Sequence, residues 1–499
     1  MQLSYVNSAV IFVLFVINNK YIIKTGELQM AIKSSQKLSK KYGEYFEKVS
    51  FVIVSLFALL PFFSIFAPMK YGPMFITLSG IGIVAFFACL IVYLYNYFLV
   101  FPGGSIKERT SLLMGNLKQY FSKNKHALLF LIIYACVILS TLFADDKTRA
   151  LSGTEFRPDG LLMHTSLLAL FVFSSFIKNP TYKKTIFGIY IVCFILQAAI
   201  MIQQYYGIIG SAPDETYGVF GEKLRIFYLR KNKAMGHFFK GKTGSFYNLN
   251  HLGYYIGMCA MLGSGLFMTS KKISSKIFSA IFMGYAFWTL VLNNSFGVYL
   301  AVLVAIIVMG IIMFFRAKAK FITAFFPLIA FIIVNIAVSW VSTCDSLVVN
   351  NFVTLGKDLT SITKADSMSE AKDEAGGAGS GRWKIWVNTV EMIGEKPVLG
   401  YGPDNLYDEY DAREVTLDRA HNEILERAVS TGIFSAVCYV LALAYLIWTR
   451  MMRKDHLEAS SMAIPLGIVL AYVVSALTGV FLFYTACHFF IFIGMMTDR

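Results

Sequence analysis

FGVYLAVLVAIIVMGIIMFF, residues 296–315, contains no charged side chain and runs straight into RAKAK at 316–320. A helix rises about 1.5 Å per residue and the hydrocarbon core of a bilayer is about 30 Å thick, so roughly 20 apolar residues cross it. This run is long enough to span. Further apolar runs begin near residues 48, 74, 127, 160, 185, 246, 275, 321, 429, 463 and 482, which with this one makes twelve candidate spans. Hydrophobic residues make up 57% of the 499 and the mean hydropathy is +0.60, which excludes an ordinary soluble globule. The predicted fold class is an all-α polytopic membrane protein with about 12 transmembrane helices.

Ahead of the spans, NSAVIFVLFVI (7–17) is too short to cross and lacks a small-residue cleavage site. It reads as an interfacial stretch rather than a signal peptide. Met30 could open a conventional basic leader. Six of the seven cysteines lie singly inside apolar runs, and only Cys344 is near a loop, so neither a disulfide framework nor a metal site is expected.

The formal net charge of +15 lies mostly in short loops between apolar runs. It therefore reads as a topology signal, not as a nucleic-acid footprint. Residues 20–48 hold seven Lys, and KNPTYKK, SKKISSK, RAKAK and TRMMRK hold three basic residues each. If the twelve spans alternate, these lie on one side, the cytoplasm by the positive-inside rule. Parity then puts residues 145–159, the Asn293 to Ser295 turn, a loop at 208–245 and a long segment at 344–428 outside.

The 208–245 loop is the exception to the rule. Its stretch EKLRIFYLRKNKAMGHFFKGK (222–242) carries seven Lys and Arg against one acid. Cations held on the outer side imply an anionic partner there, a lipid headgroup or a lipid-linked phosphate. The expected organisation is a basic leader at 1–47, spans one to nine within 48–343, the large outer loop at 344–428 and three last spans within 429–499. In the large loop, GRWKIWVNTVEMIG predicts a helix with Trp383, Trp386, Val390 and Ile393 on one stripe, stopped by Gly394 and Pro397. DRAHNEILERAVSTG predicts a second helix, with Glu423 and Arg427 paired at i,i+4 and Ile424, Leu425 and Ala428 facing apolar surroundings, running directly into the span near 429.

The stretch GSGRWKIWVNTVEMIGEKPVLGYGPDNL followed by RAHNEILERAVSTGIF resembles the signature region of the O-antigen ligase and O-antigen polymerase superfamily. The likeness lies in an Arg-Trp helix, a Pro-x-x-Gly-x-Gly turn and a His-Asn pair. TGSFYNLNHLGYY (243–255) resembles the family's Asn-x-Asn element and GTEFRPDGLL (153–162) its Arg-x-x-Gly element. With the hydropathy profile, the resemblance runs from about residue 120 to the C-terminus. One departure stands out. Where many members carry Ser-Arg-Gly, this chain has Asn294, Ser295, Phe296 and Gly297.

The resemblance implies a GT-C-like fold with one large extracytoplasmic helical loop in a bacterial cytoplasmic (inner) membrane, its active site facing outside. It also implies a metal-independent inverting glycosyltransferase, without cofactor, that moves a glycan from an undecaprenyl-pyrophosphate donor to an acceptor hydroxyl. Polymerisation of surface polysaccharide repeat units is the expected role. Ligation of finished glycan to a lipid A core, transfer to protein hydroxyls and a lipid-linked glycan flippase are the alternatives. Membrane lipids are expected partners, and nucleic acid is not.

The residues suit that chemistry. A sugar pyrophosphate departs as an anion, and guanidinium groups grip phosphate oxygens bidentately. Arg157, Arg225, Arg230 and Arg382 are the candidate pyrophosphate ligands, with Arg382 and His421 expected at the reacting centre. His421, the one histidine of the large loop, titrates near working pH and suits a general base or an acceptor-positioning group. Asn248 and Asn250 could be helix caps or sugar contacts. His251 and Asn422 are further possible glycan contacts, and Glu426 could be a solvated charge. His164 and His488 lie within spans and have no assigned role.

Overall fold

A computed structural model describes residues 43–66, 71–95, 97–98, 106–154, 157–205, 243–246, 248–341, 353–354, 356–357, 381–415, 418–452, 456–481 and 483–497. The basic leader up to residue 42, the cationic stretch with Arg225 and Arg230, Cys344 and most of residues 342–380 lie outside the described residues.

Among the described residues, nine helices are long and apolar enough to cross a membrane. They are α1 (Gly43–Ile65), α2 (Met74–Tyr95), α3 (Lys125–Leu142), α5 (Pro180–Tyr205), α6 (Leu249–Thr269), α7 (Ile273–Asn293), α8 (Phe296–Phe315), α9 (Phe321–Val338) and α12 (Ile433–Met451). Three shorter apolar helices, α4 (Leu161–Phe176), α13 (Met462–Ala476) and α14 (Phe483–Met495), stand where the remaining three runs were expected. No strand occurs among the described residues. The chain is an all-α polytopic membrane protein.

Helix α6 sits at the centre, packed against α7, α8 and α13. Its apolar window is 89% buried, against 17% for α2, which marks α6 as interior and α2 as peripheral. Small residues make this possible: a Cβ on Gly257 would meet Val298 at 2.7 Å, and one on Gly265 would meet Ile464 at 2.8 Å. Without side chains there, the neighbouring helices approach closely, which is how helices associate in lipid. The placement matters because α6 carries His251 and Tyr254 at the end where the loops gather.

Two helices of the large loop lie at that same end, α10 (Arg382–Glu395) and α11 (Glu423–Thr431). Both differ from expectation in the face they bury. On α10 the buried residues are Ile385, Val387, Asn388, Thr389 and Met392, while Val390 is 52% exposed. The stripe is rotated because α10 packs on α11 and on a cluster holding Tyr401, Leu406 and Tyr410. On α11 the buried side chains include Glu423, Glu426 and Arg427, so its inner face is charged. The expected Glu423 and Arg427 pair is present at 3.7 Å.

Nor does α11 run into α12. Gly432 stands between them at φ 91° and ψ 156°, a region that essentially only glycine enters. The break turns the chain so that Ile433 N–H donates to the Pro397 carbonyl at 2.9 Å and Gly402 N–H to the Ser430 carbonyl at 2.9 Å. These bonds seat the Gly-rich turn on the end of α11. Gly432→Ala is expected to cost about 1–3 kcal/mol through backbone strain. It also drives a Cβ into the Val398 carbonyl. A fall in the melting temperature of the purified membrane protein is the measurement, and an unchanged value would refute the strain argument.

Candidate active site

Four separated segments meet at the loop end of the helix bundle. The first is the turn leading into α4. Gly153, at φ 74°, lets the chain fold back, and Thr154 N–H donates to the Arg157 carbonyl at 2.8 Å and to Asp404 Oδ2 at 3.1 Å. Arg157, part-exposed, forms an ion pair through Nη1 with Asp418. Asp159 is buried and accepts from Phe483 N–H at 3.3 Å.

The second segment is the start of α6. Asn248 caps it, its Oδ1 accepting from the N–H groups of Asn250 at 2.8 Å and His251 at 3.4 Å. Asn250 Oδ1 accepts from Ser295 at 3.4 Å, tying α6 to the turn before α8. The His251 ring stacks on Tyr484 at 5.0 Å. The third segment is the first residue of α10, Arg382, part-buried after Gly381 at φ 83°.

The fourth segment, residues 418–423, carries His421 in the left-handed region at φ 50°, a conformation rare for residues other than glycine. Asn422 caps α11, accepting from Ile424 N–H at 3.0 Å and Leu425 N–H at 3.1 Å, and donates to the Leu477 carbonyl at 3.0 Å. The side chains of Asn248 and Asn422 are thus engaged in capping. His421 lies within electrostatic reach of Arg382, Asp418, Arg419 and His251, and His251 in turn of Arg157. Burial, reinforced by Arg382, lowers the His421 imidazole to about 4. Burial also lowers Arg382. The fold therefore brings Arg157, His251, Arg382 and His421 to one place.

Beneath them lies a buried charge cluster. Arg419 donates from Nη2 to Asp159 Oδ2 at 2.9 Å and to Asp404 Oδ1, and from Nη1 to Glu426 Oε1 at 3.1 Å. Glu426 Oε2 also accepts from Ala420 N–H at 2.7 Å. Burial pushes the Asp159 and Glu426 carboxyls up, opposed by Arg419. The Arg427 guanidinium sits 4.2 Å from the Tyr439 ring centre and 4.9 Å from that of Phe481. A cavity of about 30 Å³ lies between the two arginines, room for water but not for a sugar.

Asp159, Asp404 and Arg419 were not singled out from the sequence, although all three fall inside its quoted motifs. Glu426 was read there as a charge that could be solvated, whereas it is buried. The clue available was compositional: acids and an arginine clustered at the mouths of apolar helices. Two intramembrane histidines also gain partners, since His488 Nδ1 pairs with the Tyr190 hydroxyl at 2.9 Å and the His164 ring stacks on Phe481 at 5.6 Å.

Residues 278–440 match the family model described as O-antigen ligase. That stretch is similar to the O-antigen ligase family. The matched stretch runs from α7 into α12 and includes Arg382, Asp404, Arg419 and His421. This similarity supports the resemblance to the O-antigen ligase and polymerase superfamily read from the loop motifs. Arg157 and His251 lie outside the matched stretch, so that stretch is joined in space by residues from the chain before it. No curated protein matches the chain.

Proposed function

We propose that the chain transfers a glycan from undecaprenyl pyrophosphate to an acceptor sugar hydroxyl at the outer face of a bacterial cytoplasmic membrane, polymerising surface polysaccharide repeats. The observation that carries this is the meeting of Arg157, Arg382 and His421 at the loop end of α6. His421 takes the proton of the acceptor hydroxyl as that oxygen attacks the anomeric carbon. The bond from that carbon to the phosphate oxygen breaks, and the pyrophosphate leaves carrying the electron pair. Attack from the side opposite the leaving group inverts the anomeric centre.

Arg382 and Arg157 bind the pyrophosphate. At an effective dielectric of about 20, one close cation-to-phosphate contact contributes roughly 4 kcal/mol of gross attraction. Only the share that grows as the bond breaks speeds the reaction. Arg157 faces Asp418 through Nη1, while a guanidinium offers five N–H donors, so phosphate can share it. Arg225 and Arg230 remain candidates for the same anion.

The test is glycan transfer in proteoliposomes from a polyprenyl-pyrophosphate oligosaccharide, with and without chelator, offered a second repeat unit or a lipid A core. Elongation with inverted linkage is expected, with Arg382→Ala lowering kcat about 10²-fold or more. Transfer only to the core would make the chain a ligase. Movement of the donor across the bilayer without transfer would overturn the enzyme reading.

A further inference from the structure

We infer that the buried group formed by Arg419, Glu426, Asp159 and Asp404 positions His421, with Arg419 and Glu426 as positioning residues for the proposed transfer. The inference rests on the role of His421 proposed above.

Buried ion pairs are a poor source of stability, since well-packed apolar groups of the same volume serve as well or better. Their value lies in directionality, and here every direction converges on the backbone before His421. Arg419 is held by Asp159 from the turn before α4 and by Asp404 from the Gly-rich turn. Glu426, one turn along α11, holds both the Arg419 side chain and the Ala420 N–H. On the other side, Asn422 is fixed by its cap and by Leu477.

The residues flanking His421 are therefore pinned on both sides to three other segments, while His421 sits at φ 50°. A histidine keeps such a conformation only where its surroundings over-determine it. Release of the Ala420 N–H removes that constraint, φ relaxes to negative values, and the imidazole swings away from Arg382 towards solvent.

Glu426→Ala tests this without stripping the cluster, because Arg419 keeps Asp159 and Asp404. Glu426→Gln is the control, since its amide oxygen still accepts from Ala420. Two readouts are taken in nanodiscs: transfer kinetics in native and His421→Asn backgrounds, and the His421 titration by NMR of labelled histidine. Glu426→Ala is expected to lower kcat about 30-fold with donor KM unchanged, and Glu426→Gln to stay within about threefold of native. In the His421→Asn background Glu426→Ala should cost nothing further, because a residue that acts through His421 is not additive with it. The His421 titration should move from about 4 towards the ordinary histidine value.

Equal losses in both backgrounds, or an unmoved titration in Glu426→Ala, overturn the inference. Should His421→Asn leave transfer intact, the proposed role of His421 fails, and the titration still decides whether Glu426 holds the imidazole in place.

Discussion

His421→Asn is expected to lower kcat for glycan transfer by about 10²–10⁴-fold, the range for losing a general base, while the protein stays folded in the membrane. Asparagine is the informative replacement because its short amide tolerates left-handed backbone, so the φ of 50° is preserved and only the imidazole is lost. The pH dependence is sharper still. An imidazolium cannot take a proton, so activity falls as pH drops through the His421 value. In the empty enzyme that value is about 4, held down by burial and by Arg382. The acid limb of kcat/KM, which reports the free enzyme, should therefore lie near 4, well below the ordinary histidine range.

Donor binding should shift that limb upward. A phosphate charge about 5 Å away at an effective dielectric of about 20 contributes roughly 3 kcal/mol of gross attraction, about two pKa units in favour of the imidazolium. The kcat profile should thus break at higher pH than the kcat/KM profile. Under the proposed role, that ordering would make His421 a competent base only with the leaving group in place, suppressing proton removal from an acceptor with nothing to attack. Coincident limbs near 6.5 would contradict both the buried setting of His421 and its coupling to the donor.

Arg419→Met should be the most damaging change to the fold. It leaves Asp159, Asp404 and Glu426 buried without their shared cation, and breaking a buried pair from one side costs about 3–5 kcal/mol. That is a large part of the roughly 5–15 kcal/mol that holds a domain together. Limited trypsin digestion should cleave residues 381–432 of the variant under conditions that spare the native chain. Burial raises the folded-state values of Asp159 and Glu426 above their unfolded ones. Their stabilising contribution is therefore full below the unfolded value near 4 and is lost as pH rises through the folded value. Protection of Arg419→Met should accordingly be better at pH 5 than at pH 8, and adding Glu426→Gln should restore part of it. Equal protection at both pH values would show that the cluster is not buried as described.

What could be read from the chain alone was whatever depends on neighbours in sequence. Apolar runs of the right length placed the twelve apolar helices seen among the described residues within a few positions, because a segment that must satisfy its backbone polar groups in lipid has few options besides a helix. The loop motifs led to the O-antigen ligase resemblance that the 278–440 match supports, and to Arg157, His251, Arg382 and His421, four side chains that the fold gathers at one end of α6. Pairings between distant residues were beyond it. Arg419 and Asp159 are 260 positions apart, and no local pattern tells a carboxylate bound for a buried arginine from one bound for solvent. Local propensity also misplaced the inner face of α11 and the break at Gly432, since both answer to the turn that packs against them. Tertiary structure alone decided which charges are buried, because burying a charge is favourable only when its partner arrives from elsewhere in the chain.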